Sequence, residues 1–284
     1  MRQKDVPFAQ LLNRLRLRSK ETQLRRRDVE ALKQRETGEE TADLHIYAKK
    51  DDVYAHNIER LKQLDPDYVT MYAQDFSYEK KTGKYKKLDG HLSNATHTNL
   101  AETLEIAKNA RVMLCKNVDA ADGLVNGVCG TVAHIENPNN LRLPVAVYVT
   151  FDDPDIGVQR RRRSHDPADL AGSTRIEPEE EIATKRGEKR RQFPLRLAWA
   201  ITIHKVQGMT LDKAVVSLKG IFTAGQAYVA LSRVRSLEGL ILQEFNEEVI
   251  YCNDNVKLAM EYMPPFIVES PPVRHGDDVL TVFS

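Results

Sequence analysis

Apolar residues recur at helical spacing at the start of the chain and at strand spacing further along. The first set lies three and four residues apart, as on one face of a helix: Phe8, Leu11, Leu12 and Leu15. A second helix is predicted by Leu24, Val29 and Leu32, and it carries the run Arg25–Arg27. These arginines fit a solvated helix face, and they also fit a local basic surface for phosphates.

A strand, a helix and a second strand are expected next. The apolar strands are Leu44–Ala48 and Val69–Ala73, and Asp51 or Asp52 can cap the helix between them. The apolar positions of that helix are Val53, Ile58, Leu61 and Leu64. A strand, helix and strand of this length predict a parallel βαβ unit.

The middle of the chain has the texture of an all-β region. Three short strands are separated by Gly, Asn and Pro: Arg111–Leu114, Val128–Ile135 and Val145–Phe151. The Asp-Gly pair at 122–123 and the Asn-Gly pair at 126–127 are strong turn signals. We therefore expect a small β-barrel inserted into an α/β domain. The polar segment 74–99 is predicted to be a loop, and 152–192 an exposed, flexible hairpin or loop.

Alternating strands and helices return after Pro194. The predicted strands are Leu195–Ala198, Ala214–Leu218 and Gly239–Leu242. The predicted helices are Ile203–Val206, which Gly208 ends, Thr223–Ser232, which begins with a Thr223/Gln226 capping box, and a last helix from Asn253 to Met263. The fold class is therefore α/β.

Composition narrows the class of protein. The chain has 284 residues, 41% of them hydrophobic, a net charge of +1, and no apolar run near the length of a membrane span. Charge is uneven, because residues 1–35 hold eleven Lys/Arg and four Asp/Glu, a net +7, and the remainder sums to −6. The three cysteines form no CxxC pair, so we expect no metal site and a reducing, intracellular location without secretion.

Residues 202–208 hold a dense set of hydrogen-bond donors. Ile203 and Val206 can face a core, which leaves a hydroxyl, an imidazole, an ammonium and an amide on other faces: Thr202, His204, Lys205 and Gln207. Such a set suits phosphate oxygens or a nucleic-acid backbone. The alternative is an ordinary amphipathic helix end.

A second cluster follows at residues 225–235. This small-residue, apolar helix delivers Arg233 and Arg235 at its C-terminal end, where the helix dipole favours a cation. A guanidinium there can reach a phosphate across a domain boundary. The alternative is that both arginines are simple C-terminal charges.

The two clusters together resemble motifs V and VI of the PIF-one-type (petite integration frequency) DNA helicases, relatives of RecD in helicase superfamily one. Residues 197–218 read LAWAITIHKVQGMTLDKAVVSL, and 225–240 read GQAYVALSRVRSLEGL. Three further segments are similar to parts of the same family. Residues 8–17, FAQLLNRLRL, resemble the helix after the first motor domain, and residues 44–61, LHIYAKKDDVYAHNIERL, resemble the motif IV region. Residues 110–132, ARVMLCKNVDAADGLVNGVCGTV, resemble the entry to an inserted barrel. The resemblance implies a RecA-like parallel-sheet domain with a small β-barrel of the Src-homology-three type.

The resemblance also implies roles for individual residues. Arg233 would be the arginine finger on the ATP γ-phosphate, with Gln207 near the same phosphate. The residues on or beside single-stranded DNA would be Thr202, His204, Lys205 and Asn57, with the 122–127 turn lining the DNA path or the barrel. The chain departs from the family at Val206, which replaces a usual Ser, and at Lys49-Lys50, which replace Thr-Asn.

The sequence contains no Walker A loop, GxxxxGK[ST], to hold ATP and Mg²⁺. Gly83-Lys84 is followed by Tyr85 and has no Gly five residues before it. An arginine finger acts only where a phosphate cradle is present. We therefore predict that ATP and Mg²⁺ bind only in a complete two-domain enzyme, and that this chain alone neither hydrolyses ATP nor unwinds DNA.

The expected domains are a helical linker at 1–42, a second RecA-like domain at 43–110 and 193–263, a barrel and charged loop at 111–192, and a tail at 264–284. The favoured function is the C-terminal motor half of an ATP-dependent helicase in genome maintenance (repair, recombination, telomere maintenance). Its partners would be single-stranded DNA and a first motor domain. Its location would be the nucleus or the mitochondrion if the chain is eukaryotic. The alternatives are a nonhydrolysing single-strand binder and an inactive relic.

Overall fold

A computed structural model describes residues 5–37, 44–92, 97–163 and 167–262. Its helices are α1 (Val6–Leu17), α2 (Arg26–Lys33), α3 (Lys50–Leu64), α4 (Val158–Arg163), α5 (Gln226–Leu231) and α6 (Asp254–Glu261). Its strands are β1 (His45–Tyr47), β2 (Val69–Tyr72), β3 (Gln74–Glu79), β4 (Lys84–Lys87), β5 (Thr103–Ile106), β6 (Arg111–Leu114), β7 (Cys129–Glu136), β8 (Ala146–Phe151), β9 (Thr174–Ile176), β10 (Glu179–Ile182), β11 (Lys189–Gln192), β12 (Leu195–Leu197), β13 (Ala200–Thr202), β14 (Ala214–Ser217) and β15 (Leu240–Gln243).

A parallel sheet in the order β13-β1-β14-β15 forms the α/β unit. Its strands are nearly continuous runs of buried residues, as a parallel sheet covered on both faces requires. The α/β fold class expected from the sequence is confirmed.

Helices α1 and α2 pack into the core of this unit. The four apolar residues that predicted α1 are all buried in it, together with Leu32 of α2. Asp5 caps α1 by accepting the backbone N–H of Phe8. After α2, Glu36 pairs in parallel with Leu242 of β15, and the Arg35 guanidinium donates to the Leu240 carbonyl. The segment expected to be a linker is therefore part of the α/β unit over its described residues.

The predicted βαβ unit is wrong. β2 does not join β1, and it pairs in antiparallel register with β5. The reason lies in its exposure pattern, because Met71 is buried while Val69 and Tyr72 are exposed. A strand with one buried face suits an antiparallel pair, whereas the centre of a parallel sheet buries both faces.

The strands expected at Arg111–Leu114, Val128–Ile135 and Val145–Phe151 are confirmed within a residue or so as β6, β7 and β8. They belong to an antiparallel sheet in the order β12-β6-β7-β8-β9. β12 was expected in the α/β unit, but Leu195, Arg196 and Leu197 pair with β6 instead. This sheet therefore extends beyond residue 192, and β12 leads directly into β13.

The segment 74–99, predicted to be a loop, contains β3 and β4, and the segment 152–192, predicted to be a hairpin or loop, contains the antiparallel pair β10 and β11. β3, β4, β10 and β11 form a sheet in the order β10-β11-β3-β4. Charged side chains make these strands polar, and the ion pair of Asp75 with Arg190 lies buried between two of them. Helix α4 begins where the buried Asp122 carboxylate accepts the N–H groups of Gln159 and Arg160. A hydrophobic pattern alone does not detect pairs of this kind.

Two helix caps differ from those expected. Helix α3 begins after Lys49, so Asp51 and Asp52 occupy its first turn, where carboxylates still favour the dipole. Helix α5 begins after Gly225, which has a φ of 79°, so it starts two residues later than the capping box predicted. The last helix agrees with its expected cap at Asn253. The predicted end of that helix at Met263 and the tail lie outside the described residues, and no described helix is both long and apolar enough to cross a membrane.

Candidate functional site

The donor-rich segment leaves the parallel sheet at the carboxyl end of β13. The predicted helix Ile203–Val206 is wrong, because Ile201 and Thr202 extend the strand and residues 203–208 make a single tight turn. Lys205 N–H and Val206 N–H both donate to the Thr202 carbonyl, at 2.9 and 3.2 Å. A run of β-branched residues favours the strand over a helix. Ligand sites of open α/β sheets lie at such strand ends.

This turn divides its side chains between two clefts. Ile203 and Val206 are buried in the α/β core and fix its orientation. Thr202 and Lys205 line one cleft, whereas His204 and Gln207 line another. The predicted DNA-binding residues are thus not all brought together, and one short turn connects two different surfaces.

The first of these, here called the α3 cleft, lies between α3, the end of β13, and strands β5, β6 and β12. It has a volume of about 280 Å³ and contains the side chains of Lys50, Asn57, Arg196, Thr202 and Lys205. Most of the remaining wall is apolar, although Thr103 and Glu105 also line it. The apolar residues include Val53, Ile58, Leu104, Met113, Leu195, Leu197 and Ile201. Three of the four predicted DNA-binding residues therefore share this cleft with two further cations.

Asn57 has a structural task in the α3 cleft. Its Nδ2 donates to the Ala200 carbonyl at 3.0 Å, and its Oδ1 accepts the Ala200 N–H at 2.9 Å. The side chain is buried, so its polar atoms are satisfied by the backbone of β13. The amide ties α3 to the strand that carries Thr202, and the DNA contact expected of Asn57 stays a prediction.

The electrostatics of the α3 cleft favour an anion. Desolvation of its ammonium by the surrounding protein, with the positive charges of Arg196 and Lys50, lowers the pKa of Lys205. A bound phosphate would relieve this strain by supplying the opposite charge. Burial raises the pKa of the neighbouring Cys115 thiol, so that side chain is neutral at pH 7. Glu105 also lines the cleft, where the three cations Lys50, Arg196 and Lys205 outnumber this carboxylate.

The second cleft, here called the α5 cleft, lies between the 202–208 turn, α5 and the start of α6. It has a volume of about 310 Å³, and Gln207 and His204 face Tyr228, Val229 and Gln226 across it. The Gln226 side chain is buried; its Oε1 accepts the Phe222 N–H, while its Nε2 has no hydrogen-bond partner among the described residues. A buried amide donor beside a polar cleft is available to a ligand.

Arg233 follows directly from α5. Its Nε donates to the Val229 carbonyl and its Nη2 to Ser232 Oγ, both at 2.9 Å. Val229 also lines the α5 cleft, so the Arg233 guanidinium is tied to one residue of the surface that carries Gln207. The main chain reinforces this link, because the Leu211 N–H donates to the Arg233 carbonyl at 2.9 Å. The roles expected of Arg233 and Gln207 at a nucleotide stay predictions.

Arg235, the other arginine of the cluster, points elsewhere. Its Nη1 donates to Asp212 Oδ1 at 2.7 Å, and both side chains are more than half exposed. This residue is therefore a surface ion pair, as the alternative interpretation of the two arginines proposed.

Sequence reasoning missed Arg196 and Gln226 as site residues. Arg196 stands between the buried Leu195 and Leu197, so the period of two along the strand places it on the opposite face. That alternation is visible in the sequence, but the segment that resembles the helicase motif begins at residue 197. Gln226 was assigned to a helix cap, which used its side-chain oxygen and left its amide nitrogen unconsidered.

Comparison with known proteins gives consistent relatives. No protein-family model matches the chain. It is 39% identical over 209 residues to the ATP-dependent DNA helicase PIF1 of Danio rerio, covering 73% of this chain and 28% of that protein. It is 32% identical over 260 residues to the ATP-dependent DNA helicase PIF1 of Homo sapiens, and the match covers 90% of this chain and 35% of that protein. The chain thus spans about a third of the length of the curated relatives it matches.

Solved structures agree with the sequence relatives. The Pif1 helicase from Candida albicans is 26% identical, with a TM-score of 0.71 over 92% of this chain and 59% of that one. Pif1 from Bacteroides in complex with ADP-AlF3 and ssDNA shares the fold, with 24% identity and a TM-score of 0.64. The match covers 92% of this chain and 54% of that one. The similarity extends over both the α/β unit and the antiparallel sheets. On this sequence identity and shared fold, the chain belongs to the PIF1-type family of DNA helicases.

Proposed function

We propose that this chain forms the second motor domain of an ATP-dependent DNA helicase acting in genome maintenance. It grips single-stranded DNA along the α3 cleft and presents Arg233 and Gln207 to ATP and Mg²⁺ held by a first motor domain. The antiparallel sheet β12-β6-β7-β8-β9 supports the assignment of a small inserted barrel of the Src-homology-three type. The Bacteroides relative, solved with ADP-AlF3 and ssDNA, supports both ligands for the complete enzyme.

One observation carries this proposal: the 202–208 turn supplies side chains to two clefts. Thr202 and Lys205 face the cationic α3 cleft, while His204 and Gln207 face the α5 cleft beside Arg233. A change of nucleotide state sensed at Gln207 is thereby transmitted through a few backbone bonds to Lys205. Coupling of this kind is what a motor needs, because two sites must bias one two-state element.

Apolar exposure near the α5 cleft supports a partner domain there. Phe222 is 69% exposed and lies on the loop that leads into α5, and Val256 of α6 is 40% exposed beside the cleft. Large apolar side chains on the rim of a polar cleft are typical of an interdomain surface. The partner proposed here is the domain that carries the Walker A loop.

The proposal is tested with the chain joined in cis to a first motor domain of a PIF1-type relative. Gln207→Ala is expected to abolish DNA-stimulated ATP turnover while the affinity for single-stranded DNA changes little. Lys205→Ala is expected to weaken DNA binding and to reduce the slope of log affinity against log salt by about 1, because one phosphate contact is lost. Lys62→Ala, on the exposed side of α3, is the matched control.

The same measurements separate the alternatives. A nonhydrolysing single-strand binder would show the Lys205 effect but no DNA-stimulated turnover in the joined protein. An inactive relic would show neither. ATP turnover by the 284-residue chain alone would overturn the assignment of Arg233 to a nucleotide held elsewhere.

A further inference from the structure

We propose that the open face of the sheet β10-β11-β3-β4 is a stacking platform for the unpaired bases of single-stranded DNA. This site goes beyond the proposed function, because it shares no residue with the α3 or α5 cleft and needs no nucleotide. Its residues are Tyr78, Tyr85, Ile182, Lys87, Lys189 and Arg191.

The strand register shows that these side chains lie on one face. Ile182 stands opposite Lys189, which stands opposite Phe76, which stands opposite Lys87, so one row crosses all four strands. The next row on the same face pairs Tyr78 with Tyr85. Because side chains alternate along a strand, the intervening Asp75 and Arg190 point to the other, buried face.

The aromatic rings on this face are exposed and fixed in place. Tyr78 and Tyr85 are 46% and 41% exposed, and Ile182 beside them is 57% exposed. The two rings lie 5.3 Å apart between centroids, and the Tyr85 hydroxyl donates to the Gly187 carbonyl at 3.1 Å. An exposed pair of held rings costs little side-chain entropy on binding and offers π-faces to any base.

Cations surround the rings. The Lys189 ammonium lies 4.2 Å from the centre of the Tyr85 ring, and the Lys87 side chain is exposed on β4, the strand that carries Tyr85. The strand cations on this face are Lys87, Lys189 and Arg191, whereas Lys84 and Lys86 alternate to the opposite face. The acidic residue on the platform itself is Glu180, which pairs with Lys189 at 3.6 Å. The surface therefore remains positive where a phosphate backbone would pass the rings.

The combination of rings and cations selects the occupant. A duplex hides its base faces, so it would use the lysines but not the tyrosines. A protein partner would be matched to the exposed apolar residues, yet so many lysines around them oppose most protein surfaces that lack a strong acidic charge. Single-stranded DNA uses both features at once, through base stacking and phosphate contacts.

The test measures binding of fluorescent oligothymidylate to the whole chain by anisotropy. Tyr78→Ala with Tyr85→Ala is expected to lower the affinity about tenfold or more, which is within what stacking on two rings supplies. Tyr78→Phe with Tyr85→Phe keeps the rings and is expected to retain the affinity. Tyr262→Ala is the control for loss of an exposed tyrosine, since Tyr262 is 86% exposed and outside this sheet.

Two further measurements keep the outcome clear if the double alanine variant is destabilised. In the unaltered protein, photocrosslinking with an iododeoxyuridine oligonucleotide is expected to label Tyr78 or Tyr85. Affinity for a blunt duplex is expected to be the same for the alanine and phenylalanine pairs. No crosslink on the sheet, or equal single-strand affinity for both pairs, would overturn the platform.

This design also separates the platform from the proposed function. If Lys205→Ala weakens binding and the tyrosine variants do not, the motor assignment stands and the platform falls. If the tyrosines crosslink while the joined protein shows no ATP turnover, the platform stands without the motor.

Discussion

The Asn57 amide and the Ala200 backbone exchange two hydrogen bonds, so that the middle of α3 is fastened to the first residue of β13. The residues are 143 positions apart in sequence, and the contact is buried. It holds the wall of the α3 cleft against the strand that presents Thr202. The amide is thus a link between the cleft and the turn from which both proposed binding surfaces arise.

Loss of this amide is expected to destabilise the fold. Asn57→Ala leaves the Ala200 N–H and carbonyl unsatisfied in a buried place, at a cost of about 1–3 kcal/mol for each group left without a partner. Urea unfolding measures the change, and Gln63→Ala, on the exposed part of the same helix, is the control. Equal stability of the two variants would show that water or another group replaces the amide.

The buried ion pair of Asp75 and Arg190 predicts that the free energy of unfolding falls at acidic pH. Burial acts to raise the pKa of Asp75, but hydrogen bonds from Arg190 and from the Leu92 N–H outweigh it and hold the pKa below its usual value. The folded state therefore binds fewer protons than the unfolded chain near pH 4. The stability from this pair is complete above the unfolded pKa of about 3.9 and is lost as the pH falls through the lower folded pKa.

Unfolding free energies measured between pH 5 and pH 2 check this prediction. The His91 imidazole lies 3.6 Å from Asp75 and also acts to lower the pKa of that carboxyl. Asp75→Asn is expected to show a flatter profile than the unaltered protein. Arg190→Ala leaves a buried carboxylate unpaired and is expected to cost about 3–5 kcal/mol at neutral pH. A profile for Asp75→Asn as steep as the original would contradict the assignment.

Gly239 is expected to tolerate no side chain. A Cβ at this position would lie 1.9 Å from the Asp212 carbonyl oxygen, where the chain passes close to the start of β14. Gly239→Ala must therefore shift backbone, and we expect a loss of about 3 kcal/mol, at the upper end of overpacking costs. Gly172→Ala is the matched control, because a Cβ there meets nothing within 4 Å. Thermal unfolding of the two variants compares them directly, and equal midpoints would show that the close approach is not rigid.

The contribution of Lys205 to DNA binding is expected to disappear at a lower pH than that of an ordinary lysine. Its pKa is lowered, so its ammonium deprotonates before an ordinary lysine does near pH 10.4. The difference in affinity between the unaltered chain and Lys205→Ala should shrink as the pH rises through that lowered value. Oligonucleotide titrations of the two proteins across the alkaline range measure this difference.

Local elements were predictable because their signals are local. The spacing of Phe8, Leu11 and Leu15 is a property of a few successive turns, and it predicted α1 with its buried face. The turn signals around residues 122–127 predicted where β6 and β7 are separated. The same is true of the strand at Ala214–Leu218, whose continuous apolar run can only be buried on both faces.

Pairing between distant segments was not predictable in this way. The periodicity of β2 does not show whether it pairs with β1 or with β5. The apolar residues of β12 likewise fit either sheet. The polar strands β3 and β11 carry an ion pair between residues 115 positions apart, which a hydrophobic pattern cannot reveal. In the site, Thr202, Lys205 and Gln207 came from one short motif, and Arg196, just before it, was indicated only by its alternation with Leu195 and Leu197.

The last prediction concerns Arg233 in the two-domain protein. Arg233→Ala is expected to lower ATP turnover by about 10³ or more, the effect of removing an arginine finger, while affinity for single-stranded DNA is retained. Arg233→Lys should recover little, because an ammonium cannot reproduce the planar fork on phosphate oxygens. Arg235→Ala is a close control, since its ion pair with Asp212 is exposed and such pairs contribute little. If the two alanine variants lost turnover equally, the loss would reflect the charge at the end of α5 rather than a finger at position 233.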